Sequence, residues 1–157
     1  MKQIGVIGPE KADKNQLEIA EKLGEDIAKR GYVLITGGAG GVMEAASRGA
    51  KNYGGITVGT PGKKRLMSNR YVDIEICTPV DIGDFIFAGI LSCDLMLVIP
   101  GDAGTSAEFF MGIRNKIPMV VINAKPEMAS FVDDKVVFAV KNAEEAIKKM
   151  EEAIKND

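Results

Sequence analysis

Residues 33–41 read VLITGGAGG, and this stretch decides the fold because a short apolar run ends directly in a cluster of glycines. The next residues, 42–50, read VMEAASRGA and have the pattern of a helix with small residues on its inner face. A strand that ends in glycines and continues into a helix brings unpaired main-chain N–H groups to one point. Such a point favours an anion, most often a phosphate group.

A second stretch repeats this arrangement further along the chain. Residues 95–99 read LMLVI, residues 100–105 read PGDAGT, and a helical pattern follows from residue 106. Two such turns in a chain of 157 residues predict one ligand held between them. The alternative at either turn is an ordinary tight connection between a strand and a helix.

Strand and helix patterns alternate outward from these two stretches. Short apolar runs predict strands at 4–7, 32–36, 55–59, 72–77, 94–99, 117–122 and 136–140, the fourth of them at a sheet edge. Helical spacing predicts helices at 13–30, after 41, at 80–92, at 105–115 and from 142 to 154. Asp13 and Asn142 are predicted to cap the first and last helices, and Gly31 to end the first.

This alternation predicts an α/β fold with three layers, in one domain spanning residues 1–157. We expect a mostly parallel sheet of about six to seven strands with helices on both faces. Such sheets bind ligands beyond the C-terminal ends of their strands, where the strand order switches. Both glycine-rich turns follow strands, so the expected site and the fold agree. Residues 60–71 form one irregular stretch long enough to be a functional loop.

Composition and charge exclude several functions. The chain is 46% apolar and 27% charged with a net charge of −2, which is typical of a soluble protein and gives no field that recruits nucleic acid or an anionic membrane. Aromatic residues make up 6% and tryptophan is absent, which argues against a platform for stacking bases. The chain begins with a short strand pattern rather than a signal peptide, and no apolar run could span a bilayer, so we expect a cytoplasmic protein.

The chain contains no histidine and only two cysteines, Cys77 and Cys93. The usual zinc sites and all histidine-based catalytic triads are therefore excluded, and we predict no metal site. The two cysteines are expected to be buried small hydrophobic residues.

In the first loop, the candidate phosphate-binding residues are Gly37, Gly38, Gly40 and Gly41, because glycine permits positive φ and close approach of a ligand. The spacing does not fit a dinucleotide fingerprint or a Walker loop.

In the second loop, the candidate ligand-binding residues are Gly101, Asp102, Gly104 and Thr105. Thr105 is expected to cap the following helix and to offer its hydroxyl to a phosphate. Glu108 lies one helical turn on and is the candidate catalytic residue; the alternative is a capping box over residues 105–108. The Asp102 carboxylate would repel a phosphate unless it points away or binds a cation.

Further features allow two interpretations each. Lys63, Lys64, Arg65 and Arg70 could reach a phosphate, or could simply be solvated. The apolar residues 109–111 could form a dimer surface or belong to the core.

The stretches 36–46 (TGGAGGVMEAA) and 100–108 (PGDAGTSAE) resemble the two signatures of the LOG-like superfamily. This group contains cytokinin-activating phosphoribohydrolases, proteins labelled possible lysine decarboxylases, and molybdenum-cofactor carrier proteins. The similarity extends from residue 1 to about 122, and the overall pattern is similar to the short carrier-like branch.

The resemblance implies a Rossmann-like fold, a homodimer or higher homo-oligomer, and a phosphorylated ligand of nucleotide or molybdopterin type at the glycine loops. The family's glutamate matches Glu108, and its glycine and threonine positions match Gly101, Gly104 and Thr105. The arginine that the hydrolases carry before the second loop is replaced here by Phe85, with Asp84 before it, and Asp102 replaces a glycine. No lysine lies on a motif for pyridoxal phosphate, so lysine decarboxylation is not expected.

Three functions follow from the sequence. The first is a carrier or binding protein for a phosphorylated, nucleotide-like small molecule. The second is a phosphoribohydrolase that cleaves the N-glycosidic bond of a nucleoside monophosphate with Glu108, and the third is a non-enzymatic sensor.

Overall fold

The computed structural model describes residues 1–78 and 85–155, and for residues 85–87 the backbone alone. Its strands are β1 (Gln3–Ile7), β2 (Val33–Thr36), β3 (Thr57–Gly62), β4 (Ile74–Cys77), β5 (Leu95–Val98), β6 (Met119–Ile122) and β7 (Val137–Val140). Its helices are α1 (Lys14–Lys29), α2 (Val42–Asn52), α3 (Phe85–Leu91), α4 (Ala103–Arg114), α5 (Pro126–Ala129) and α6 (Ala143–Lys155).

The seven strands form one parallel sheet in the order β4-β3-β2-β1-β5-β6-β7. The chain builds outward from β1 in one direction through β4 and then crosses to the other side of β1 with β5. The strand order therefore switches between β1 and β5. The predicted α/β architecture, the parallel sheet and the edge position of β4 are confirmed.

Two apolar clusters cover the two faces of the sheet, as the three-layer prediction requires. One lies against α1, α2 and α6 and includes Leu23, Val42 and Ile147. The other lies on the face of α3 and α4 and includes Ile90, Phe109 and Met128. Burying both faces explains why the central strands are continuous apolar runs.

Helix α1 begins and ends at the residues that its local sequence predicts. Asp13 accepts a hydrogen bond from the Gln16 N–H at 2.9 Å, and the Gln16 side chain accepts one from the Asp13 N–H at 3.0 Å. At the other end Gly31 has a φ of +70°, the left-handed conformation that ends helices. Asn142 likewise accepts a hydrogen bond from the Glu145 N–H.

Some element boundaries differ from those predicted. Strand β3 continues past residue 59 to Gly62, because Gly62 pairs with Cys77 after a register shift, and Pro61 lies within that irregularity. Helix α5 was not predicted because it has only a single turn. Within the predicted helix at 80–92, α3 spans Phe85–Leu91. The beginning of that prediction falls in residues 79–84, which lie outside the described residues.

Two further expectations were wrong in part. Helix α4 begins at Ala103 rather than 105, because Asp102 and not Thr105 is its N-cap. Cys93 is buried as expected, but Cys77 is exposed because it ends the edge strand.

Of residues 109–111, Phe109 is fully buried, whereas Phe110 stays 40% exposed and packs edge-to-face against Phe131.

Candidate functional site

The candidate site is a cleft at the C-terminal ends of β1, β2 and β5, where the strand order switches. It is lined by Gly8, Glu10, Gly37, Ala39, Met43, Asp102, Gly104, Thr105 and Glu108, and its volume is about 190 Å³. Three loops contribute: one follows β1, one follows β2 and one follows β5. The two glycine-rich loops therefore face one shared space.

A smaller recess continues from the cleft into the core. Gly37 and Glu108 line both spaces, and the rest of the recess is largely apolar, with Ile35, Ile90 and Met96 among its walls. Its volume of about 20 Å³ is enough for one water molecule. The cleft thus has a wide polar mouth and a narrow apolar floor, and Glu108 stands between them.

The first glycine loop is shaped by its own hydrogen bonds. Gly38 and Gly41 have φ values of +82° and +62°, so two of the four glycines use the conformation that glycine permits. The Gly38 N–H donates to Thr36 Oγ1 at 3.1 Å. No hydrogen bond is made by the N–H groups of Ala39 and Gly40 within the described part of the chain.

In the second loop, Asp102 caps helix α4. Its Oδ1 accepts hydrogen bonds from the Thr105 N–H and the Thr105 hydroxyl, each at 2.9 Å. The hydrogen bond from the Thr105 N–H lowers the pKa of the Asp102 carboxyl. Desolvation acts in the opposite direction but is outweighed, so the pKa is lowered overall. Asp102 therefore remains an anion that is held by the helix terminus. The Thr105 side chain is buried and its hydroxyl donates to Asp102, so Thr105 is not the N-cap of α4.

Glu108 has an unusual environment for a carboxyl group. It is partly buried between the cleft and the apolar recess, and its side chain makes no hydrogen bond or ion pair within the described part of the chain. Burial raises the pKa of Glu108 to about 7, and the nearby Asp102 carboxylate adds to the shift. The group can therefore hold or release a proton near neutral pH, which is the property required of a general acid or base. The capping box over residues 105–108 is not formed, because α4 begins two residues earlier.

The side-chain charges of the cleft are negative. Glu10, Asp102 and Glu108 contribute carboxyl groups, and none of the described residues lining the cleft is a lysine or arginine. Residues 63–65 and Arg70, the candidate cations, are not among the lining residues. Arg70 instead donates to the Tyr71 hydroxyl at 2.7 Å, with its guanidinium 4.9 Å from the ring centroid. Lys11 lines the adjoining pocket, which shares Glu10 and Asp102 with the cleft, so among the described lining residues of the cleft itself the main-chain N–H groups are the donors available to an anion.

The structure brings together five of the residues selected from the sequence: Gly37, Asp102, Gly104, Thr105 and Glu108. The other four, Gly38, Gly40, Gly41 and Gly101, belong to the same loops but do not line the cleft itself. Gly101 instead lines an adjoining pocket with Pro9 and Gln16. Phe85, at the position of the family arginine, begins α3, and Asp84 lies outside the described residues.

Sequence reasoning missed the loop that follows β1. Gly8 and Glu10 line the cleft, and the carbonyl oxygen of Pro9 accepts a hydrogen bond from the Val42 N–H at 3.1 Å. The Gly8-Pro9 pair at the end of the first strand was the available indication. In the part of the chain that the structure describes, no group of three acidic, cysteine or histidine residues could hold a metal ion. None of the helices there has the length and apolar character to cross a membrane.

Comparison with known proteins identifies the family to which this architecture corresponds. The model of the SLOG cluster4 family matches residues 1–154. A protein of Archaeoglobus fulgidus, described only as uncharacterised, is 38% identical over 112 residues, which is 71% of this chain and 74% of that protein.

Solved structures extend the likeness to proteins with a stated role. The molybdenum cofactor binding protein from Rippkaea orientalis is 33% identical, has a TM-score of 0.89, and covers 98% of this chain and 97% of its own. The Moco carrier protein from Chlamydomonas reinhardtii is 34% identical, has a TM-score of 0.90, and covers 99% of each chain.

Proposed function

Because the chain belongs to the SLOG cluster4 family, we propose that it binds a phosphorylated, nucleotide-like small molecule in the cleft and acts as a carrier for that molecule. The observation that carries this proposal is the convergence of the two glycine-rich loops on one cleft at the switch in strand order. Open parallel sheets bind their ligands at this position. The similarity to molybdenum cofactor carriers supports a carrier role.

The proposed grip on the phosphate comes from the backbone. The first loop precedes α2 and the second precedes α4, so each places the positive end of a helix dipole at the cleft. The N–H groups of Ala39 and Gly40 are unpaired within the described chain. Main-chain donors hold a phosphate without a lysine or arginine, which fits a cleft whose charged lining side chains, among the described residues, are all acidic.

The carboxyl groups suggest what the rest of the ligand looks like. Glu10, Asp102 and Glu108 can accept hydrogen bonds from a ring that carries N–H donors. Pterins and guanine share such an edge, with an amino group beside a ring N–H. We therefore propose a molybdopterin-type or purine nucleotide ligand with its phosphate at the loops.

Hydrolysis of a nucleoside monophosphate is the second candidate, and the environment of Glu108 favours it. A carboxyl group whose pKa is raised to about 7 stands beside a recess large enough for one water molecule. Such a group can deliver or accept a proton at the glycosidic bond. The lack of a cation among the described residues of the cleft is why binding is proposed first.

Partners follow from the same chemistry. We propose a small-molecule partner and no nucleic acid, because the net charge is −2 and the cleft is acidic. A homodimer or higher homo-oligomer and a cytoplasmic location complete the proposal.

One experiment separates the two candidate functions. The protein is incubated with adenosine and guanosine monophosphates, while its unfolding temperature and the release of free base are measured. A carrier gives an unfolding temperature that rises with nucleotide concentration and releases no base. Base release that is lost in Glu108→Ala and kept in the exposed control Glu127→Ala indicates hydrolysis. If neither nucleotide raises the unfolding temperature nor loses its base, the proposal of a nucleotide-like ligand is wrong.

A further inference from the structure

Two consecutive carbonyl groups of the first glycine loop are held by one side chain. Asn69 Nδ2 donates to the carbonyl oxygens of Gly38 at 3.1 Å and of Ala39 at 2.9 Å. The Asn69 N–H also donates to the Gly38 oxygen at 2.7 Å. Asn69 belongs to the irregular stretch after β3 and does not line the cleft.

Two consecutive carbonyl groups of the second loop are held in the same way. Gln16 Nε2, on helix α1, donates to the Pro100 oxygen at 3.0 Å. Lys125 Nζ donates to the Gly101 oxygen at 2.8 Å. Gln16 and Lys125 both line a pocket beside α1, and neither lines the cleft itself, although Gln16 also lines the pocket that adjoins the cleft at Glu10 and Asp102.

The direction of these carbonyls fixes the direction of four N–H groups. In a trans peptide the C=O and the N–H point to opposite sides, and every peptide bond of the described chain is trans. Holding the Gly38 and Ala39 oxygens outward turns the N–H groups of Ala39 and Gly40 the other way. The Pro100 and Gly101 oxygens likewise set the N–H groups of residues 101 and 102.

We propose that Asn69, Gln16 and Lys125 are positioning residues that keep the loop carbonyls out of the ligand site and aim the loop N–H groups at the bound anion. The proposal rests on the proposed function, because it needs an anion between the loops. It explains how loops rich in flexible glycine present donors rather than carbonyl oxygens to a negative charge. A carbonyl turned inward would add repulsion to a cleft that is already acidic.

Two isosteric substitutions remove the donated hydrogen bonds and keep the accepted ones. Asn69→Asp loses both side-chain bonds to the loop carbonyls, which releases the Ala39 oxygen, whereas the main-chain N–H of residue 69 still donates to the Gly38 oxygen. Oδ1 still accepts from the Tyr71 N–H, at 3.1 Å in the native protein. Gln16→Glu loses the bond to Pro100, whereas Oε1 still accepts from the Asp13 N–H, at 3.0 Å. The local caps and turns therefore stay satisfied.

Lys125 permits a test that is safe for folding, because the residue is exposed. Lys125→Met removes the donor, and Lys125→Arg restores one. The matched controls are Lys14→Met, which removes an exposed lysine on α1, and Asn115→Asp, which removes a donor to the Met111 carbonyl at the far end of α4.

The measured quantity is the dissociation constant for guanosine monophosphate and for inorganic pyrophosphate, at low and at high salt. We expect Asn69→Asp, Gln16→Glu and Lys125→Met each to weaken binding by about tenfold, while both controls stay within about twofold of the native protein. Part of the loss must persist at high salt, because screening reduces a pure charge effect but not misdirected N–H groups. Asn69→Ala, which adds no charge, must show that persistent part, and Lys125→Arg must recover most of the binding.

The outcomes separate this inference from the proposed function. If the native protein binds neither probe, both are wrong. If it binds and the three variants bind as tightly, or lose affinity only at low salt, the positioning role is wrong and the proposed function stands. If Asn69→Asp or Gln16→Glu does not fold, Lys125→Met and its arginine rescue decide the question alone.

Discussion

Glu108→Gln is expected to raise the free energy of unfolding at pH 8 by about 3 kcal/mol, since the folded protein raises the pKa of this carboxyl from 4.5 to about 7. Below pH 4.5 the Glu108 carboxyl is protonated in both the folded and the unfolded chain, so its ionisation does not change the free energy of unfolding. Between pH 4.5 and 7 the folded state holds the proton more tightly, so native stability falls as the pH rises through this window. Glutamine cannot ionise and avoids the loss.

Urea unfolding of the native protein and the variant from pH 5 to pH 8 measures this effect. The window is well suited because the chain contains no histidine, the side chain that ordinarily titrates there. Glu127→Gln, an exposed change on α5, is the control and should keep the native pH profile. Parallel profiles for the native protein and Glu108→Gln would show that Glu108 is not held in its neutral form.

The same proton controls the affinity for an anion. As Glu108 ionises above pH 7, it adds a further carboxylate beside Asp102 and the loops. We expect phosphate-bearing ligands to bind the native protein more weakly at pH 8 than at pH 6, and Glu108→Gln to remove most of that difference.

Gly41→Ala is expected to destabilise the protein by about 3–5 kcal/mol, enough to prevent folding in a domain of ordinary stability. Gly41 has a φ of +62°, and a Cβ built there overlaps the carbonyl oxygen of Glu10. The Glu10 segment cannot move away easily, because the neighbouring Pro9 carbonyl accepts a hydrogen bond from the Val42 N–H. The strain of positive φ and the steric overlap therefore add.

Gly31→Ala separates these two contributions. Gly31 has a φ of +70°, but no atom lies within 4 Å of its added Cβ, so only the conformational strain of about 1 kcal/mol remains. Chemical denaturation of both variants gives the comparison. Equal losses of unfolding free energy at the two positions would mean that the loop after β1 does not lie as close to Gly41 as it does in the structure.

The alternating pattern of the sequence was sufficient to predict the sheet, because each central strand is buried on both faces and each helix has one apolar face. The N-cap at Asp13 and the left-handed Gly31 were predictable because they depend only on neighbouring residues. The start of α4 was not, because Asp102 and Thr105 are both good caps and the choice between them depends on how the loop meets Pro9 and Glu10.

The candidate site was predictable to the level of its loops. The glycine clusters and Glu108 stand out in the sequence, whereas the contributions of Gly8 and Glu10 appear only when β1 is placed between β2 and β5. The contacts of Asn69, Gln16 and Lys125 join segments 24 or more positions apart, and no local pattern marks them. The depth at which Glu108 is buried, which sets its pKa, likewise depends on the packing of α3 and α4.

A titration with guanosine monophosphate, followed by the amide resonances of both loops in NMR spectra, tests most directly whether the two loops bind one ligand. We expect the N–H signals of Ala39, Gly40, Gly101 and Asp102 to shift together and to saturate at the same nucleotide concentration. Shifts confined to one loop, or centred on the groove lined by Pro118 and Lys149 at the opposite end of the sheet, would contradict it.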